Sequence, residues 1–426
     1  FVPFDEFSST DRTRRGFNRA FSPPAAAFES RLLCARPSNR SCSLTGTSLA
    51  GVRGMTLTLE DPVRPVASLS GTFRSGGWLR GAQSFHWSGT DVGSGLRYAE
   101  TVIDGSVRAS TEQACEIERI AGQWRGRKMQ PCRTAAAGSH SIDTARLSDG
   151  THLLTGCAID FAGGRGCSAP AALRIDNNAP AAPRGLAVVG GGGWRNTNSF
   201  DLEWSNPDQG VAAPVTGVRY RITGPGSYDS GLLSAGGVEG LAGLKVPGPG
   251  SHRISVWLVD AAGNGSPAGA ADATLRLDDV DPVAFLLHPP EESPELLRVT
   301  IDDAHSGPAG GVISYRRQGD VEWKDLPTSF ESGDARGSLS ATLPSDDLAP
   351  GRYEIRARVR DLAGNELLSN RRSDGTRLVL KAPLKDETRL DVRLVGKRRS
   401  GGSIRVPFGE PAKLRGRLTG QGGRGV

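Results

Sequence analysis

Gly150-Thr-His-Leu-Leu-Thr-Gly-Cys-Ala-Ile-Asp160-Phe-Ala-Gly-Gly164 has two counterparts further along the chain. They are Gly250-Ser-His-Arg-Ile-Ser-Val-Trp-Leu-Val-Asp260-Ala-Ala-Gly-Asn264 and Gly351-Arg-Tyr-Glu-Ile-Arg-Ala-Arg-Val-Arg-Asp361-Leu-Ala-Gly-Asn365. In each copy Gly precedes Asp by ten residues, and the three Asp residues stand 100 and 101 residues apart. Recurrence at a fixed period marks repeated structural units. Inside the third copy Tyr353, Ile355, Ala357 and Val359 alternate with Glu354, Arg356, Arg358 and Arg360. Ile254, Val256 and Leu258, and then Leu154, Gly156 and Ala158, take the same inward places in the other two. A period of two with one polar face makes a half-buried antiparallel strand. Asp-x-Ala-Gly-Asn is turn chemistry, because Asp bonds the amides ahead of it and Gly or Asn accepts positive φ. The spacing predicts a hairpin into a closing strand at 171–175, 273–277 and 378–380.

Outward from this ladder lies a second one. Gly76-Gly77-Trp78 leads to Phe85-His86-Trp87, and Gly192-Gly193-Trp194 to Leu202-Glu203-Trp204. Strands follow at Gly95-Leu-Arg-Tyr98, Gly217-Val-Arg-Tyr220 and Gly311-Val-Ile-Ser-Tyr315. Trp87 and Trp204 read as core, and Trp78 and Trp194 as partly exposed at a loop-to-strand edge. The third unit lacks the Trp pair, and Leu297, Val299 and Ile301 take its place. Short Pro-bearing junctions close each unit at 61–65, 176–180 and 278–282, which favours a semi-rigid string. The chain therefore divides into 64–177, 181–279 and 282–381, all β and all antiparallel sandwiches. Residues 1–60 read as the C-terminal remnant of a preceding β domain. Residues 385–426 read as the incomplete start of a further one, in which 404–408 turns at 409–411 and pairs back onto 414–418. The chain is expected to be a fragment of a longer protein.

Composition agrees with short strands and many turns: of 426 residues 57 are Gly and 27 Pro, and 37% are hydrophobic. The net charge of +6 is uneven, since 385–426 holds eleven Lys/Arg against four Asp/Glu. That basic stretch, like the face Arg356, Arg358 and Arg360, reads as a solvated strand face, with no nucleic-acid partner. No run of 18 apolar residues provides a membrane segment. The six cysteines fall in close pairs, Cys34 with Cys42, Cys115 with Cys132 and Cys157 with Cys167, without zinc spacing. Paired locally they would form three short-loop disulfides, each worth about 2–3 kcal/mol, in an oxidising compartment; left reduced they would be buried thiols.

Catalytic chemistry finds little support. No HExxH, P-loop or GxGxxG occurs, and Gly46-Thr-Ser-Leu-Ala50 departs from a nucleophile elbow at its last residue. His152 and His252 occupy equivalent repeat positions, which favours structure over catalysis. Oxygen ligands cluster at the junctions. Asp176, Asp278, Asp279 and Asp281 are candidate Ca²⁺ ligands beside an ordinary turn role, and no other cofactor is implied. Trp124, in Gly122-Gln-Trp-Arg-Gly126 between Cys115 and Cys132, is the candidate exposed ligand contact.

The Gly-x-His/Tyr strand with its Asp-x-Ala-Gly-Asn hairpin, and the strand ending in Tyr, resemble the immunoglobulin-like and fibronectin type III-like tandem repeats of large bacterial secreted and surface proteins, over residues 61–381. The resemblance implies immunoglobulin-like sandwiches, extracellular or cell-envelope location, and a tyrosine corner. Tyr353 fits that corner, and His152 and His252 would have to substitute for it. It implies no enzyme. The functional expectation is a structural spacer array whose partners are the neighbouring domains of the same polypeptide. The alternatives are adhesion to cell-wall polysaccharide or a host surface, and an accessory region of a secreted hydrolase.

Overall fold

The computed structural model describes residues 58–419 apart from 235–236, 385–388, 396–398, 401–402, 405–407, 410 and 412. Of the three expected disulfides, the one between Cys34 and Cys42 is not among those the described residues hold. Cys34 and Cys42 both lie outside the described residues, as does the predicted β remnant as far as residue 57. The described fold belongs to the unit Asp61–Val426.

Three sandwiches follow one another. The first is built from β1 (Val66–Gly71), β2 (Trp78–Leu79), β3 (Ala82–Thr90), β4 (Leu96–Ile103), β5 (Ser106–Glu112), β6 (Ile117–Ile120), β7 (Gln123–Gly126), β8 (Ala135–Asp143), β9 (Gly150–Asp160), β10 (Arg165–Cys167) and β11 (Ala171–Ile175). One sheet runs β1-β3-β8 and the other β2-β11-β9-β4-β5, with β10 on β9. The second sandwich repeats this plan. Arg184–Val188, Phe200–Ser205 and Gly240–Leu244 form its small sheet. Its large sheet runs Trp194–Arg195, Ala271–Leu277, Gly250–Asp260, Val215–Thr223 and Tyr228–Asp229. The third pairs Val283–Leu286, Leu296–Asp302, Arg336–Thr342 and Ser329–Ser332 against a sheet centred on Pro308–Arg317 and Gly351–Asp361. These are tandem immunoglobulin- and fibronectin III-like domains.

Alternation explains the cores. In β3 Phe85 and Trp87 point inward, and they meet Leu154, Leu173 and Ile175 from the opposite sheet. Phe200, Leu202 and Trp204 do the same in the second sandwich, and Leu297, Val299 and Ile301 in the third, all buried. Each such side chain contributes about 1.5–3 kcal/mol relative to exposure. Gly-Gly-Trp has a separate role. Trp78 and Trp194, both half-buried, pair in parallel with Arg174 and Arg276 of the closing strand. Those arginines donate to the carbonyls of Gly76 and Gly192.

The corner is met in all three copies. Tyr353 Oη donates to Ala349 O (2.9 Å), His252 Nε2 to Gly248 O (2.7 Å) and His152 Nε2 to Ser148 O (2.8 Å). Each acceptor lies four residues upstream, so an imidazole N–H replaces the phenol without changing the bond. Two disulfides lie in the first sandwich, formed by the second and third of the close cysteine pairs. Cys157–Cys167 joins directly opposed residues of β9 and β10, and Cys115–Cys132 brackets the β6–β7 hairpin.

In the C-terminal stretch Lys413–Thr419 pairs antiparallel with Arg389–Val395. The predicted hairpin of 404–408 with 414–418 rests on 405–407, which lie outside the described residues.

His152 also carries a pH-dependent contact. Its Nδ1 lies 2.6 Å from Asp104 Oδ2, in the Asp104-Gly105 hairpin turn where both residues have positive φ. Burial lowers the imidazole's affinity for a proton, but the bonds to Asp104 and Ser148 outweigh it and hold His152 above its ordinary range. The bond to His152 holds Asp104 below its own. The histidine's raised pKa stabilises the fold below about pH 6.5 and is lost as pH rises. The aspartate's lowered pKa stabilises it above about pH 3.9 and is lost as pH falls. The first sandwich should therefore lose thermal stability between pH 5.5 and about pH 8.5, and Asp104→Asn should flatten that dependence. The half-exposed aspartate keeps the effect modest. Scanning calorimetry of both proteins at both pH values is the check.

Candidate functional site

The heads of the three sandwiches are built on one plan, each entered by an aspartate. Asp176 closes the first sandwich, its N–H donating to Leu79 O (3.0 Å). Its Oδ1 accepts from Asn178 N, the Asx-turn expected of this residue type. Its Oδ2 reaches the second sandwich and accepts from Ala213 N (2.8 Å), and its carbonyl accepts from Asn264 Nδ2 (2.9 Å). Asp278 repeats every element one sandwich later. Its N–H donates to Arg195 O, its Oδ2 accepts from Ser306 N, and its carbonyl accepts from Asn365 Nδ2. Asp61 enters the first sandwich in the same way, with Oδ2 accepting from Ser94 N. That bond, ahead of the opposing effect of burial, holds the Asp61 carboxyl below its usual range.

The second carboxylate comes from the Asp-x-Ala-Gly turn. Asp160 Oδ1 accepts from Gly164 N, Asp260 Oδ1 from Ala262 N and Asn264 N, and Asp361 Oδ1 from Gly364 N and Asn365 N. All three are buried, and burial pushes each carboxyl up. Asn264 and Asn365 also donate Nδ2 to the second oxygen of Asp260 and Asp361. One amide thus ties the turn of a sandwich to the carbonyl of the linker before it. At the first joint Arg80 Nη1 adds a bond from the first sandwich to Asn264 Oδ1 (3.1 Å).

A third carboxylate appears at two of the three places. Asp91-Val-Gly-Ser-Gly95 and Asp303-Ala-His-Ser-Gly307 share one loop geometry: the Asp accepts from the N–H groups two and four residues ahead. Gly95 and Gly307 have φ of 84° and 87°, which reserves the position for glycine. The result is two triads, Asp61/Asp91/Asp160 and Asp278/Asp303/Asp361, with one oxygen from each residue within 4.8 Å of the others. In the second sandwich Gly210 stands three residues before Ala213, where the other copies have Asp.

Of the four residues named as Ca²⁺ candidates, Asp278 belongs to a triad and Asp176 to a two-carboxylate joint, while Asp279 and Asp281 are exposed. Asp91 and Asp303 escaped the sequence reading. Their signal was the recurring Asp-x-x-Ser-Gly just before the strand that ends in Tyr.

Trp124 is 48% exposed on the β6–β7 hairpin, with the guanidinium groups of Arg97 and Arg119 over its ring at 5.2 and 5.8 Å. The face Arg356, Arg358 and Arg360 is not uniformly solvated. Arg358 and Arg360 are exposed, but Arg356 is half-buried and stacks 4.2 Å from the Trp323 ring, beside Arg316 at 4.6 Å. Two further histidines hold structural bonds, His140 between Thr101 and Thr111 and His86 with Ser139.

No known protein family matches the chain, and no curated protein does. Solved structures similar to it include a tetra-tandem repeat in the extending region of a large adhesion protein, at 16% identity over 79% of this chain and 77% of that one, with a TM-score of 0.29. Fibronectin(III)-like modules of Clostridium thermocellum CbhA are 12% identical over 50% of this chain and 93% of theirs, with a TM-score of 0.23. The FN1-FN3 domains of chicken CNTN1 are 14% identical over 73% and 100%, with a TM-score of 0.22. At these identities the likeness is one of fold.

Asn264→Ala removes the only side-chain donor to the Asp176 carbonyl and to Asp260 Oδ2 among the described residues. Leaving buried acceptors without a donor should cost about 1–3 kcal/mol. Limited trypsinolysis should then cut faster at Arg184, just beyond the joint, than in the unsubstituted chain.

Proposed function

We propose that this chain is a non-catalytic spacer, a run of immunoglobulin-like domains that holds other modules of a larger secreted or surface protein apart. The joint carries the reading. A linker of four or five residues restrains adjacent sandwiches without by itself fixing their mutual orientation. Here the linker aspartate is fully buried and bonded on both sides, by its backbone to the sandwich it closes and by its side chain and carbonyl to the next. Such joints transmit orientation from one domain to its neighbour. Two disulfides in the first sandwich suit an oxidising, extracellular setting. Among the described residues no helix is long and apolar enough to cross a membrane.

A second reading rests on Trp124, an exposed aromatic on a disulfide-bracketed hairpin. An aromatic ring in such a place can stack on a sugar face and would make the array adhesive. Arg97 and Arg119 over the ring oppose this, because a ligand would have to displace a guanidinium. The two readings separate by pull-down of the chain on insoluble polysaccharides and cell-wall material. No retention of the chain beyond that of Trp124→Ala is expected. Retention that Trp124→Ala abolishes would replace the spacer with an adhesive module.

A further inference from the structure

The heads of the three sandwiches are three chemical versions of one site, and they differ in what donates to the buried carboxylates. At the middle joint there are two carboxylates, Asp176 and Asp260, and Asn264 Nδ2 serves the second oxygen of Asp260. At the third there are three, and Asn365 Nδ2 does the same for Asp361. The first sandwich has three carboxylates and no amide, because Gly164 stands where the others have Asn. Asp160 Oδ2 and Asp91 Oδ1 consequently have no hydrogen-bond partner, although Asp160 is 1% and Asp91 4% exposed. Their other oxygens are taken, by Gly164 N at 2.7 Å and by Gly93 N and Gly95 N at 3.2 and 2.6 Å. Asp61 adds a third charge, with Ser94 N and Val63 N already on its oxygens. Among the described residues no Lys or Arg makes an ion pair with any of the three.

Two buried carboxylate oxygens without a donor, in a cluster of three carboxylates, are unfavourable unless something positive lies among them. Water can donate to them, but it leaves the like charges in place. The donor set, three carboxylates without nitrogen or sulfur, suits a hard divalent ion. Calcium takes oxygen ligands at about 2.3–2.6 Å, so two of them lie up to roughly 5 Å apart across the ion, and the three oxygens here fall within 4.8 Å. Magnesium demands a tighter octahedron near 2.1 Å and gives up its water reluctantly.

We propose that Asp61, Asp91 and Asp160 bind a calcium ion at the head of the first sandwich, in the role that the Asn264 and Asn365 amides fill in the other two. The ion would fasten the stretch entering β1 to the β3–β4 loop and to the β9–β10 turn. This goes beyond the spacer reading and does not depend on it.

Calcium titrated calorimetrically into the chelator-treated chain, with thermal scans alongside, is the test. Saturable uptake is expected, with the unfolding of the first sandwich moving up by roughly 10 °C at calcium a hundredfold above Kd. Asp91→Asn keeps an acceptor for the Gly93 and Gly95 amides, so it should fold and hold its metal-free Tm, while binding calcium at least tenfold more weakly. Asp260→Asn, at the middle joint, should leave uptake unchanged. Gly164→Asn, whose Cβ would crowd Asp160 Oδ2, should weaken calcium binding. A chain that shows neither heat nor a Tm shift at millimolar calcium overturns the proposal, and so does an Asp91→Asn chain that binds as tightly as the unsubstituted one.

Discussion

A buried carboxylate at the end of the first and of the second sandwich is the constraint from which their tandem arrangement follows. Asp176 and Asp278 are both almost wholly removed from solvent. A charge in that position is unfavourable unless its oxygens are met by donors. The donors come from the next sandwich, from Ala213 and Ser306. The linker aspartate can therefore satisfy itself only when the following domain is folded and seated. Local chemistry, an Asx-turn on one oxygen, is converted into a contact between domains through the other.

The facing end of the following sandwich gathers the Asp-x-Ala-Gly turn, joined in the first and third sandwiches by the Asp-x-x-Ser-Gly loop, so polar groups that would be loop decoration on an isolated domain become packing partners. Below them the hydrophobic cores are ordinary. Alternating residues from two sheets meet, and a corner hydrogen bond fixes the strand that supplies the turn. That the corner is made by Tyr in one copy and His in two shows what it requires: a donor at a fixed reach from a flat ring, whatever the ring.

Much of this was legible in the sequence. Period-two alternation in 351–361 and its two copies gave the strands, because one residue per face is a local property. The ten-residue spacing from Gly to Asp gave the repeat. The Trp pairs were placed well for the same reason. Close spacing also identified the cysteine pairs Cys115 with Cys132 and Cys157 with Cys167, the second bridged across adjacent strands and the first across the base of a hairpin. What the sequence hid was convergence. Asp61, Asp91 and Asp160 come from three parts of the chain, and only the closing of two sheets brings them together. Asp176 and Asp278 drew notice as junction residues, but so did Asp279 and Asp281, which point to solvent; adjacency in sequence says nothing about which neighbour turns inward. Arg356 shows the same limit, since alternation put it on the polar face correctly but could not show Trp323 lying beneath it.

The joints also have a direction. The tail of one sandwich supplies the aspartate and the head of the next supplies the amide and the loop N–H, so the contact is heterologous rather than self-complementary. A head-to-tail contact of this kind can be repeated from one domain to the next. Each sandwich offers its successor the same terms it received, and its contacts extend to its immediate neighbours. A whole copy inserted between two others would find both of its joints already written. Reach in such a protein is therefore quantised, changing by entire domains through duplication or loss, while a few residues gained or lost inside a linker would break the geometry at once.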